Sequence, residues 1–143
     1  MTGVLLEEGG LPPVREVALP LSEPANGSAH ARAFVRGALA RWQVDDTTMN
    51  EVGHVASELV AHAFRAGAGS VDLQLSLDES FVFVQVCSRS RATEAPDEPG
   101  TDPAASPELF IVGRLAVDWW TRDGADGPVL WAKVQRSVPG DGA

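Results

Sequence analysis

At 143 residues, with 44% hydrophobic and 22% charged content, the chain has the make-up of one globular domain able to bury a core without staples. A formal net charge of −9 excludes duplex nucleic acid or an anionic membrane as main partner, because phosphate neutralisation needs a basic surface. The single cysteine, Cys87, excludes an internal disulfide framework and suits a reducing, cytoplasmic setting. No apolar run nears the roughly 20 residues of a membrane span, and MTGVLLEEGG lacks the basic start of a secretory signal.

Residues 1–13, rich in glycine and proline, read as a flexible N-terminus, 14–136 as one domain and 137–143 as a flexible tail. Val14 to Leu19 alternates like a strand that Pro20 closes. Ser28 then suits the cap of a helix whose stripe is Ala31, Phe34, Val35, Ala38, Leu39 and Trp42. Thr48 and Glu51 form a capping box for a second helix, with Val52, Val55, Ala56, Leu59, Val60 and Ala63 inward and Gly67 as its stop. Val71, Leu73, Leu75 and Leu77 alternate with polar residues, and Asp78 to Ser80 turns the chain into an apolar strand, Phe81 to Cys87.

Ser88 to Ala105 is low in hydrophobicity and reads as mobile. Ser106-Pro107-Glu108 opens a third helix with a cap, a proline and an acid in favourable places. Its stripe is Leu109, Val112, Leu115, Ala116 and Trp119; Gly124 to Gly127 turns, and Val129 to Val134 is the last strand. Trp42 and Trp131 fit the core, and one of Trp119 and Trp120 is left over as an exposed anchor. The order implies an α+β fold, a two-layer sandwich with helices on one face of a mostly antiparallel sheet.

His54, Glu58 and His62 recur every four residues and form one ridge. Two neighbours suit a transition metal, but the outer pair stand about 12 Å apart along the axis, too far for one ion to use all three. A metal site, a surface ridge and a pocket wall all remain open. Cys87 reads as a small buried residue, since no base is identifiable beside it.

The phrases ARAFVRGAL, SELVAHA, LFIVGRLAVDWW and GPVLWAKV, in this order, resemble the histidine-kinase-like ATPase fold, also called GHKL or Bergerat. The branch they resemble is that of the small bacterial anti-sigma-factor serine/threonine kinases. The resemblance implies a magnesium-ATP pocket with Glu58 as general base. At the other pocket positions this chain departs from the pattern. His62 stands for a magnesium-binding asparagine, Ser88 for an adenine-binding aspartate, Ser106 to Glu108 for phosphate-binding glycines, and Val129 for a threonine near the base.

The implied reading is a degenerate relative that regulates bacterial transcription by protein binding, with weak or no ATP binding and no cofactor. A sigma factor or a STAS-domain anti-sigma antagonist is the implied partner, and a homodimer is left open. The alternative is an active ATP- and magnesium-dependent kinase of a STAS-domain antagonist. A further one is a metal or small-ligand sensor using His54, Glu58 and His62 in the vacated pocket.

Overall fold

The structure, a computed structural model, describes residues 15–22, 24–90 and 106–137. In chain order the elements are β1 (Arg15–Leu21), α1 (Pro24–Arg41), α2 (Asp46–Arg65), β2 (Ala68–Leu77), β3 (Phe81–Ser90), α3 (Pro107–Leu115), β4 (Asp118–Asp123) and β5 (Pro128–Gln135). All strand pairings are antiparallel, in the order β1-β2-β3-β5-β4. The fold is thus the α+β sandwich that the sequence implies. Val71, Leu73, Leu75 and Leu77 of β2 and Val82, Val84 and Val86 of β3 point to the helices, and their neighbours in sequence point to the other face. Leu39 of α1, Leu59 of α2 and Leu109 of α3 close the core from above.

Three element boundaries differ from expectation, each for a local reason. β1 runs through Pro20, which sits opposite Asp72; β1 is an edge strand, where a missing N–H breaks no ladder on the open side. α1 begins at Pro24 rather than at Ser28. Ser28 lies within that helix, and its hydroxyl donates to the Ser57 carbonyl of α2 at 3.2 Å. The cap of α2 is Asp45, not Thr48: its carboxylate accepts the Thr48 N–H at 3.0 Å and the Thr48 hydroxyl at 2.7 Å. The buried Thr48 Oγ1 also accepts the Ser137 N–H at 2.9 Å. Gly67 ends α2 as expected, with φ 108° in the left-handed region and its N–H bonded to the Phe64 carbonyl.

The largest difference is β4, which the sequence reading merged into the third helix. That helix stops at Leu115, and Ala116 is already extended, with φ −91° and ψ 151°. Val117 then donates its N–H to the Lys133 carbonyl at 2.7 Å and leads the chain into the sheet. Trp119, opposite Ala132, still packs against the core and lies over Gly113 of α3. Trp131 is corrected as well. It is opposite Trp120 on the face away from the helices, and the two indoles stack at 5.7 Å with 5° between planes. β3 extends beyond Cys87 to Ser90, taking in the start of the segment read as mobile; 91–105 lie outside the described residues. So do 1–13 and 138–143, at the two ends read as flexible.

Candidate functional site

The C-terminal half of α2 and the N-terminus of α3 face each other. They are joined by a network of side chains. Ser106 caps α3, its Oγ accepting the Leu109 N–H at 3.2 Å. The same hydroxyl donates to Glu108 Oε1 at 2.9 Å. His62 Nδ1 lies 3.0 Å from Ser106 Oγ. With the hydroxyl proton committed to Glu108, Nδ1 is the protonated nitrogen of His62 and donates to Ser106, leaving the lone pair on Nε2. Arg65 Nη1 completes the clasp at 2.7 Å from Glu108 Oε2.

Both carboxylate oxygens of Glu108 are therefore occupied, although the residue is only 8% exposed. Burial by itself would raise its carboxyl. The bonds from Ser106 and its own backbone, together with the Arg65 charge, outweigh that and hold it below the ordinary 4.5. For His62, burial is the leading influence and lowers it from 6.5, with Arg65 acting the same way and Glu108 opposing. The imidazole is thus neutral at pH 7. Its 3.8 Å approach to Glu108 is a dipolar contact rather than an ion pair.

A pH profile follows. Below its ordinary value each group binds protons more readily in the unfolded chain, so acid favours unfolding. The stability linked to His62 is fully present above pH 6.5 and is lost as pH falls beneath it. That linked to Glu108 is present above pH 4.5 and is lost below. Melting temperatures measured from pH 8 downward are expected to hold until pH 6.5 and then fall in two stages. His62→Gln is expected to abolish the upper stage, and an unchanged profile in that variant contradicts the assignment.

The other predicted site residues are placed apart from this clasp. Glu58 does not join it, since its Oε2 lies 3.4 Å from His54 Nε2 on the same helix. The ridge is thus divided: His54 and Glu58 pair with each other, while His62 turns to α3. Among the described residues no group of three or more His, Cys, Asp or Glu is placed to hold a metal ion. Ser88 is buried on the helix side of β3, opposite Val71. Val129 is opposite Cys87 on the far face of the sheet, close under Gly124. Cys87 itself is half-buried and accepts a contact from the Gln85 amide at 3.1 Å.

Arg65 is the residue that sequence reasoning missed. Its signal was slight: a basic residue in the last turn of α2, 43 positions from the acid it neutralises. Ser106 has the partners of an activated serine but not the freedom. It is 7% exposed and its proton points to Glu108, so it presents no nucleophile to solvent.

With this geometry in hand, the chain is seen to be similar in fold to a solved structure. The crystal structure of the RsbU and RsbW domains of Rv1364c from Mycobacterium tuberculosis superposes with a TM-score of 0.66 at 19% identity. The match covers 89% of this chain and 34% of that one, so this chain spans about a third of the solved protein. What the two share is a fold. No protein-family model matches the sequence, and no curated protein does. No helix among the described residues is long and apolar enough to cross a membrane.

Proposed function

We propose that this chain is a regulator of the anti-sigma-kinase kind that works by binding another protein, with little or no nucleotide binding of its own. The clasp between α2 and α3 carries the reading. A magnesium-bound triphosphate needs hard oxygen ligands and free N–H donors at a helix start. At the asparagine position stands His62, a nitrogen donor whose Nδ1 is engaged with Ser106. At the start of α3, Pro107 has no N–H, while Leu109 and Phe110 donate theirs to Ser106 Oγ and Ser106 O. The remaining N–H is that of Glu108, the residue that carries the carboxylate. These residues do not fit the group, and the protein's own carboxylate supplies the anion.

A likeness in fold to a protein with RsbU and RsbW domains supports a sigma factor or a STAS-domain antagonist as partner. The test is to mix the purified chain with the sigma factors and STAS-domain proteins of its own cell. A stable complex without added nucleotide is the expected result. A complex that forms only with ATP, or transfer of phosphate to a STAS-domain protein, contradicts the reading.

A further inference from the structure

α1 contains no acidic residue, and Arg32, Arg36, Arg41 and His30 all stand exposed on it. Arg32 and Arg36 are one turn apart, a like-charge spacing that opposes helix formation. None of the three arginines has a carboxylate partner among the described residues. Among the described residues their charge is unused, and α1 is held to the core from its opposite side by Ala31, Val35, Ala38 and Leu39. Between the arginines the surface is low: Ala29, Ala33, Gly37 and Ala40 are exposed, and a Cβ added at Gly37 would meet nothing within 4 Å. A partner segment can therefore approach the helix closely while the arginines reach around it. Arg32 is already positioned, its Cγ 3.9 Å from where a Cβ of the buried Gly53 in α2 would stand.

We propose that this face of α1 docks an acidic, carboxylate-bearing segment of a partner protein. The proposal deepens the protein-contact reading above by giving the partner's chemistry and its place of contact. Charge selects the occupant. In a chain of net charge −9 a basic strip complements aspartate and glutamate, which a guanidinium pairs in a two-pronged geometry. The attraction acts within a Debye length of about 8 Å. That range suits a short acidic segment lying along one helix. A duplex or an anionic membrane extends further and meets the chain's overall negative charge.

The test uses the whole chain with a dye-labelled hexaglutamate peptide, followed by fluorescence anisotropy at low and physiological salt, with an oligothymidylate of equal charge in parallel. Saturable hexaglutamate binding is expected, weakened about tenfold in the Arg32→Ala/Arg36→Ala double variant and unchanged in Arg122→Ala. Arg122 is exposed on β4, remote from this helix face. The double variant is expected to melt no lower than the parent, since it sheds a like-charge pair. Absence of hexaglutamate binding, an equal loss in Arg122→Ala, or tighter binding of oligothymidylate overturns the proposal. The clasp between α2 and α3 takes no part in this titration. Failure here leaves the reading of that clasp standing, and a nucleotide result leaves this one standing.

Discussion

Leu109→Ala is expected to cost about 3 kcal/mol of folding stability and to release α3 before the rest of the molecule. Leu109 is 1% exposed and, with the fully buried Val112, is what fastens this helix to the core. α3 has nine residues, fewer than the roughly 12–15 at which isolated helices begin to persist in water. Its helicity is therefore borrowed from packing. Removing the leucyl side chain forfeits transfer energy and leaves a void that the surrounding core can only partly close. Urea denaturation with amide exchange measures both effects. Early loss of protection in residues 107–115 is the expected pattern, and a loss below about 1 kcal/mol with α3 still protected contradicts it.

The next largest effect is expected from Glu108→Ala, at about 2 kcal/mol, or a fall in Tm on the order of 5–10 °C. The substitution removes the acceptor of the Ser106 proton and the partner of Arg65 together. Arg65 recovers much of its loss, because its side chain is 61% exposed and can hydrate. Ser106 and His62 are buried or nearly so and recover less. Glu58→Ala is the matched comparison. Its partner His54 is half exposed, and the cost is expected to stay below about 0.5 kcal/mol. Equal losses in the two variants would show that the clasp contributes nothing special.

The sequence revealed those features whose cause is local. The α2 stripe from Val52 to Ala63 and the alternation of β2 are each enforced by one buried face, so hydropathy alone shows them. Ser106 was legible as a cap because capping chemistry lies within three residues. β4 was not, since Leu109, Val112, Leu115 and Trp119 keep a helical spacing although Trp119 reaches the core from a strand. Trp131 was misplaced for a related reason. A large aromatic residue beside buried Leu130 and Ala132 reads as core, whereas register sends it to the other face against Trp120. At the site, Glu108 was legible as an acid at a helix start, but its neutralisation by Arg65 depends on how two helices meet. The sequence alone shows an isolated acid at a helix start; the fold converts it into a link between two helices.

The measurement that bears most directly on the central claim is titration calorimetry of the purified chain with ATP and magnesium. The clasp engages His62 Nδ1, the Ser106 hydroxyl and the Leu109 and Phe110 N–H groups with partners from the protein itself, so no binding heat is predicted up to millimolar nucleotide. A one-to-one association at micromolar concentration, worth about −8 kcal/mol, would mean that the clasp opens readily for a triphosphate, and the account of this cleft would be wrong.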